Sequence, residues 1–126
     1  MTKKLSYKTI LLSLALTLSF GPSLSSTAAD FITTQTMAAQ GDADSQYRLG
    51  FKYYTGKGVK QDYSEAFRWY LKAANQGHFE AQNNLGELYD KGKGVKQNSA
   101  EAFRWYLKAA EQDDDKGQFN VGAMYH

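Results

Sequence analysis

The sequence predicts an all-α fold, an α/α solenoid of helix-turn-helix repeats. Residues 41–76 and 77–112 align without a gap and are identical at 22 of 36 positions, which is typical of a repeat array. In each copy, two stretches with helical spacing of apolar residues flank a loop with paired glycines. A third copy begins at residue 113 and continues to residue 126, so the sequence predicts two full repeats plus a truncated third.

Residues 1–29 have the layout of a secretory signal peptide. Lysines at positions 3, 4 and 8 precede an apolar run over residues 10–20, and the segment ends in Thr27-Ala28-Ala29, with small residues where cleavage needs them. We expect cleavage before Asp30 and an exported protein, periplasmic or secreted. The alternative is a membrane anchor, but the apolar run is shorter than the roughly 20 residues that a spanning helix needs.

The charge balance gives no reason to expect a nucleic-acid partner. The whole chain has a net charge of +2, but without the three lysines of the signal segment it keeps 12 basic and 13 acidic residues, a net charge of −1. The remaining lysines are spread among acidic residues, and no nucleic-acid-binding motif occurs. Because the chain has no cysteine, no disulfide stabilises it and its stability depends on packing.

The first helix of each repeat is predicted to contain a glycine and to end at glycines. The helix runs over about residues 43–54, and Gly56 and Gly58 then supply the left-handed conformation that ends a helix. Gly50 lies inside this helix, although glycine there costs about 1 kcal/mol relative to alanine. Because Gly86 repeats it in the second copy, we expect another helix to pack closely at this position.

The second helix begins with a variant of the capping box. Asp62 precedes Glu65 by three positions, as Asn98 precedes Glu101, so that each pair can satisfy the first free backbone donors of the helix. The residues that follow have helical spacing and predict a buried stripe. In the first copy this stripe consists of Ala66, Trp69, Tyr70, Ala73 and Ala74.

Residues 30–40 are predicted to be a helical N-terminal capping segment. A shift by one repeat length aligns Phe31 with Phe67 and Ala38 with Ala74. The segment therefore has the character of a second helix that covers the start of the array.

The repeated positions resemble the Sel1-like repeat family, which is related to the tetratricopeptide repeats. The family pattern is Ala-Gln-x-x-Leu-Gly-x-x-Tyr, then Gly-x-Gly-Val, then Ala-x-x-Trp-Tyr-x-x-Ala-Ala. The first copy departs from it at Ser45, and the third departs at Asp113, Gly117 and Val121. The second copy carries all of it, in Ala81, Gln82, Leu85, Gly86, Tyr89, Gly92, Gly94, Val95, Ala102, Trp105, Tyr106, Ala109 and Ala110.

This resemblance implies an α/α solenoid that acts as an adaptor or binding scaffold. Some exported bacterial members are cysteine-rich and have been linked to β-lactam-like ligands. This sequence lacks their cysteines, so that subgroup is a poor guide to its function.

No residue pattern indicates an enzyme, a metal site or a cofactor. His78 and His126 are the only histidines and have no partner at metal-ligand spacing, so we interpret them as surface polar residues. Residues 113–115 are three aspartates at the start of a predicted helix, where acidic side chains are favourable. The Gly-Lys of the inter-helix loops has the wrong spacing for a phosphate loop. Ser64 and Ser99 have no histidine at a fixed offset.

Positions that differ between the copies are the candidates for partner binding. Steps of four and three residues from Tyr47 define one face of each first helix, and stacked repeats place these faces side by side. The faces consist of Tyr47, Phe51 and Tyr54 in the first copy, Asn83, Glu87 and Asp90 in the second, and Phe119, Ala123 and His126 in the third. Aromatic residues are favoured anchors in binding sites.

We therefore expect this surface to bind a protein or peptide that carries an apolar anchor and a basic residue. The alternative is that Tyr47 and Phe51 pack on the N-terminal capping segment. A second candidate surface is the lysine row, formed by Lys57, Lys60, Lys93 and Lys96, which would contact a membrane surface or a cell-wall polymer.

Three functional alternatives follow from the sequence. The first is an exported protein-interaction scaffold. The second is a cell-wall-related ligand-binding protein or hydrolase. The third is a truncated, non-functional relic of a longer array, because repeat arrays usually need about three units and a polar cap. The incomplete third repeat would also allow end-to-end self-association.

Overall fold

Five helices and no strand form residues 26–112, the part of the chain that the computed structural model describes. The helices are α1 (Ser26–Ala39), α2 (Ala43–Thr55), α3 (Tyr63–Asn75), α4 (Phe79–Lys91) and α5 (Ser99–Ala110). Each helix packs against the one before it in the chain. This order confirms the all-α solenoid. The signal segment up to residue 25 and the partial repeat over residues 113–126 lie outside the described residues.

The second helices begin at polar caps, but the capping box is only half formed. The Asp62 carboxylate accepts a hydrogen bond from the backbone N–H of Glu65 at 3.1 Å, and Asn98 caps α5 in the same way. The Glu65 carboxylate does not return to the backbone of Asp62 and instead pairs with Arg68 at 2.7 Å. The reason is that the N–H of Asp62 already donates to the carbonyl oxygen of Tyr53.

The two helices of a repeat approach each other most closely at the helical glycines. A Cβ atom placed on Gly50 would lie 2.7 Å from Cδ1 of Tyr70, and one on Gly86 would lie 2.6 Å from Cδ1 of Tyr106. Both rings are buried, with 1% and 5% of their surface exposed. This confirms the expected close packing, because only a residue without a side chain leaves room for the ring.

A glutamine pair joins each repeat to the helix that precedes it. Gln46 donates through Nε2 to the carbonyl oxygen of Ala38 at 3.2 Å and accepts at Oε1 from Nε2 of Gln76 at 2.8 Å. Both bonds recur one repeat later, at 3.1 and 2.8 Å, between Gln82, Ala74 and Gln112. The inner glutamines are 5% exposed, so their amides are satisfied almost entirely by protein groups.

Helix α1 takes the place of a second helix from a preceding repeat. The ring of Phe31 meets Tyr53 edge-on with 6.3 Å between centroids, as Phe67 meets Tyr89 at 5.3 Å one repeat later. Ala38 is buried at 1% exposure. The segment predicted as an N-terminal cap therefore has the contacts of a repeat helix, and the helix begins four residues earlier than that segment.

The buried stripe predicted in α3 is correct except at its tryptophan. The alanines and Tyr70 of α3 are buried, but Trp69 is only half-buried, and the Lys72 ammonium lies 5.6 Å from its ring centroid. Trp105, at the same place in α5, is 3% exposed. Trp69 thus lies at the margin of the stripe, where its ring still reaches solvent.

The glycine contact leads to the first prediction. Gly86→Ala should lower the free energy of unfolding by about 1–2 kcal/mol, because overpacking against the Tyr106 ring outweighs the gain in helix propensity. Urea unfolding followed by circular dichroism measures this change. Gln35→Ala, an exposed helical position, is the control and should leave stability within about 0.5 kcal/mol. Greater stability of Gly86→Ala would contradict the close approach.

The glutamine pair leads to the second prediction. Gln82→Ala should cost about 1–2 kcal/mol of stability, because it removes two hydrogen bonds of a buried amide, one to the Ala74 carbonyl and one from Nε2 of Gln112. The Ala74 carbonyl would keep its bond from the backbone N–H of Gly77 at 3.0 Å. The matched control is Gln97→Ala, since Gln97 Nε2 also donates to a backbone carbonyl, that of Asp90 at 2.9 Å, but in an exposed position. Equal losses in the two variants would show that burial does not matter for this bond.

Candidate functional site

The aromatic residues predicted to bind a partner lie along one side of α2, and they differ in exposure. Phe51 is 45% exposed, whereas Tyr47 and Tyr54 are half-buried. The Tyr47 ring stacks against His78 at 4.8 Å and against Tyr70 at 5.9 Å between centroids. Tyr47 therefore packs on residues that follow it in the chain, and Phe51 is the member of the strip that remains available to a partner.

His78, interpreted from the sequence as a surface polar residue, is half-buried and makes structural contacts. Its Nδ1 accepts a hydrogen bond from the backbone N–H of Ala81 at 3.2 Å and so caps α4. Its Nε2 lies 3.5 Å from a carboxylate oxygen of Asp44. With its ring stacked on Tyr47, this histidine joins the first repeat to the start of the second.

A pocket of about 450 Å³ opens between α1 and α2, hereafter the α1–α2 pocket. Its walls combine two aromatic rings with charged side chains from both helices. The lining residues are Asp30, Thr34, Tyr47, Arg48, Phe51, Lys52 and Lys57. The Lys52 ammonium lies 2.7 Å from the Asp30 carboxylate and lowers the pKa of that carboxyl, first through the hydrogen bond and then through its charge.

A second, smaller pocket of about 120 Å³ lies between α2, α3 and α4, hereafter the α2–α4 pocket. It is lined by Phe51, Tyr54, Tyr70, Asn84 and Glu87. Phe51 belongs to both pockets, so its exposed ring stands between two recesses on the same side of the solenoid. This continuous surface is hereafter the first-helix face.

The residues predicted on the second repeat are only partly on this face. Asn83 is buried at 5% exposure and is not available to a partner, whereas its neighbour Asn84 lines the α2–α4 pocket. Glu87 lines that pocket. Asp90 is half-buried and lies outside both pockets. The predicted residues of the third copy lie outside the described residues.

A set of polar contacts closes one side of the α2–α4 pocket. The Tyr54 hydroxyl donates to Oε1 of Glu87 at 3.3 Å and accepts from Nζ of Lys93 at 3.2 Å. Glu87 also binds Nζ of Lys91 at 2.8 Å, which raises the pKa of that lysine through the hydrogen bond and the charge of the carboxylate. The negative charge of Glu87 is therefore already matched within the protein.

The hydroxyls of Tyr47 and Tyr70 on this face remain protonated at neutral pH. Burial raises the pKa of Tyr70 and of Tyr47, and a hydrogen bond from the Asn84 side chain opposes that rise only in part. A neutral phenol can donate and accept hydrogen bonds but is a poor nucleophile. The arrangement is therefore suited to binding, with Asn84 as a polar contact that the sequence argument missed.

The predicted lysine row is not one uniform surface. The Lys93 ammonium lies 5.2 Å from the ring centroids of both Tyr54 and Tyr63, so it packs against the protein. Lys57 lines the α1–α2 pocket. Only Lys60 and Lys96 remain as exposed loop lysines without such a place.

Residues 26–112 contain no group of three or more acidic and histidine side chains that could hold a metal ion. No helix in that range is long and apolar enough to cross a bilayer. The three aspartates at residues 113–115 lie outside the described residues.

Comparison with known proteins finds the same repeat. The Sel1 repeat family model matches residues 43–78 and 79–114. Among solved structures, the chain is similar to c5321, a protective antigen of uropathogenic Escherichia coli strains with an SLR fold, with a TM-score of 0.80 and 31% identity. It is also similar to a Sel1 repeat protein from Oxalobacter formigenes, with a TM-score of 0.68 and 39% identity. Helicobacter pylori cysteine rich protein B, 24% identical with a TM-score of 0.69, shares the fold.

These relatives are mostly longer than this chain. The matches cover 97%, 76% and 81% of this chain but 29%, 42% and 76% of the three solved structures, in the order given. The ERAD-associated E3 ubiquitin-protein ligase component HRD3A of Arabidopsis thaliana is 36% identical over 47 residues. That match spans 36% of this chain and 7% of the plant protein.

Proposed function

We propose that this chain, which belongs to the Sel1 repeat family, binds an extended peptide segment of a protein partner on the first-helix face. Proteins of this family are generally non-catalytic scaffolds for protein interactions. The Arabidopsis relative is named as a component of an E3 ubiquitin-protein ligase, and such a role in an assembly agrees with a scaffold. For this chain we propose binding without catalysis.

The exposed ring of Phe51 is the observation that carries this proposal. A phenylalanine with 45% of its surface in water, set between two recesses, gives an apolar side chain of a partner a place to pack. Burial of the exposed half would contribute about 1 kcal/mol. Aromatic anchors next to pockets are where binding energy usually concentrates.

The contacts on the first-helix face support an apolar anchor in the ligand better than they support the basic ligand residue expected from the sequence. That expectation relied on an acidic patch on the second repeat. Asn83 is buried, and Glu87 is bound by Lys91 at 2.8 Å. We therefore keep the apolar anchor in the proposal and leave out the basic residue.

A third prediction tests the role of Phe51. Peptides of about twelve residues selected from a random phage library on the full chain should bind Phe51→Ala at least tenfold more weakly, a loss of about 1.4 kcal/mol, as expected for an anchor. Fluorescence anisotropy with labelled peptides measures the dissociation constants.

Leu107→Ala is the matched control for this test. Leu107 is 40% exposed, close to the exposure of Phe51, but lies on α5 away from both pockets. Its loss should leave peptide affinity unchanged. If Phe51→Ala binds the selected peptides as tightly as the parent chain, or if both variants lose affinity equally, the first-helix face is not the binding site.

We also propose that the protein is exported and cleaved before Asp30. This is supported by the signal-peptide layout of the first 29 residues. Cleavage there would shorten α1 by Ser26–Ala29 and remove Thr27, which packs near Gly58. The Thr27 methyl carbon lies 3.1 Å from where a Cβ atom on Gly58 would be. The ion pair between Asp30 and Lys52 would remain.

A fourth prediction concerns this cleavage. Expression of the full chain with a C-terminal tag in a bacterial host should yield a form in the periplasm or medium whose first residue is Asp30, identified by mass spectrometry. Ala29→Leu should block processing, because the cleavage site needs a small residue. Leu14→Arg should block export altogether by interrupting the apolar run. A full-length cytoplasmic product from the parent chain would overturn the proposal.

A further inference from the structure

The two pockets on the first-helix face occupy equivalent positions, one repeat length of 36 residues apart. Thr34 in the α1–α2 pocket corresponds to Tyr70 in the α2–α4 pocket, and Arg48 corresponds to Asn84. The wall that the pockets share, between a second helix and the first helix after it, therefore differs in single side chains.

Two differences in the walls accompany the difference in volume. In the α2–α4 pocket the Tyr70 ring is 1% exposed, and the first helix before it adds Phe51 and Tyr54, which leaves about 120 Å³. In the α1–α2 pocket Thr34 has no ring at that place, no first helix precedes α1 in the described part of the chain, and about 450 Å³ stays open. This larger volume is within the range of sites that hold small ligands or a few peptide side chains.

The charges around the α1–α2 pocket are predominantly positive. Arg48, Lys52 and Lys57 line it against a single acidic residue, Asp30. Asp30 pairs with Lys52, and Arg48 pairs with Asp44 at 2.9 Å across an exposed helix turn. Lys57 forms no ion pair with another described residue, so one positive charge is unmatched at the pocket.

Aromatic rings form the remaining walls of this pocket. Tyr47 and Phe51 lie with 6.5 Å between centroids and an interplanar angle of 37°. The pocket thus combines an apolar surface on α2 with an excess of positive charge from α2 and from Lys57 in the loop that follows it.

We infer that the α1–α2 pocket binds an acidic peptide segment, in which a carboxylate side chain adjoins an apolar side chain. The apolar side chain packs on Phe51, and the carboxylate meets Arg48 and Lys57. This inference rests on the proposed function and gives the charge of the ligand, which is opposite to that expected from the sequence.

Three short peptides that differ in one residue test this charge. The probes are acetyl-Ala-Phe-Glu-Ala-amide and the same peptide with Gln or Lys in place of Glu, titrated into the isotope-labelled full chain and followed by NMR shifts of backbone amides on α2. The Glu peptide should bind at least fivefold more tightly than the Gln peptide, and the Lys peptide most weakly. The difference should shrink between 50 and 500 mM NaCl, because salt screens exposed charges.

Repeat-swapped variants test the place of binding. Thr34→Tyr supplies the ring found at the equivalent position and should abolish binding of the Glu peptide. Arg48→Asn supplies the equivalent of Asn84 and should weaken it at least threefold. The Arg48 side chain is 67% exposed and its pair with Asp44 contributes little to stability, so this variant should fold normally even if Thr34→Tyr does not.

Lys96→Gln is the control, since it removes the same unit of charge from an exposed loop lysine outside both pockets. It should leave binding of the Glu peptide unchanged. Equal binding of the three probes, preference for the Lys probe, or an Arg48→Asn variant with parental affinity would overturn the acidic ligand. If one of these results is obtained but the phage-selected peptides still bind Phe51→Ala more weakly, the proposed function stands without the acidic ligand. If those peptides bind Phe51→Ala as tightly as the parent chain and no probe binds, both the proposed function and the acidic ligand are wrong.

Discussion

The contact between a glycine on the first helix and a tyrosine ring on the second sets the geometry of each repeat. With no side chain on Gly50, the Tyr70 ring lies directly on the α2 backbone, and the same holds for Gly86 and Tyr106. The Tyr70 ring also stacks on Tyr47 of the same hairpin and, beyond that hairpin, lines the α2–α4 pocket together with Asn84 and Glu87. A single contact therefore fixes the hairpin and shapes the surface next to it.

The tyrosine ring also helps to explain why the contact between α1 and α2 differs from the contact between α3 and α4. Helix α1 supplies the second-helix contacts that α2 requires, through the Ala38 carbonyl and the Phe31 ring, but it has Thr34 where the ring should be. At the next inter-repeat contact, buried Ala66 and Leu88 stand where α1 and α2 carry an exposed ion pair. The contact between α1 and α2 is thus more polar and more open, and the absence of a ring at Thr34 contributes to the pocket there.

The repeat, its two helices and the glycine contact could all be predicted from the sequence, because the residues that specify each of them occur in both copies of the repeat. Predicting the face required knowledge of side-chain length. Asn83 has the same position in α4 that Tyr47 has in α2, and this position faces the following helix. The long ring of Tyr47 extends past that contact to the surface, whereas the short amide of Asn83 stays covered, with 5% of the residue exposed. Asn84 and Thr34 could not be identified as pocket residues from the sequence, because neither belongs to a recognisable motif. Only the packing around Tyr70 shows the space that lies beside them.

The reversal of the expected ligand charge has the same physical origin. Glu87 has Lys91 four positions further along the same helix, within 2.8 Å, so the local sequence neutralises the acid that seemed available to a partner. Arg48 and Asp44 form an exposed pair with the same i,i+4 spacing, and such pairs are worth little. The two sites differ in what surrounds the pair, because Oε1 of Glu87 also accepts a hydrogen bond from Tyr54, whereas Lys57 near Arg48 has no ionic partner among the described residues. An incoming carboxylate can therefore pair with Lys57 and compete for Arg48, whereas a basic residue would have to displace Lys91 from Glu87. The field at a repeat surface depends less on how many charges a face carries than on which of them its own helix has already paired.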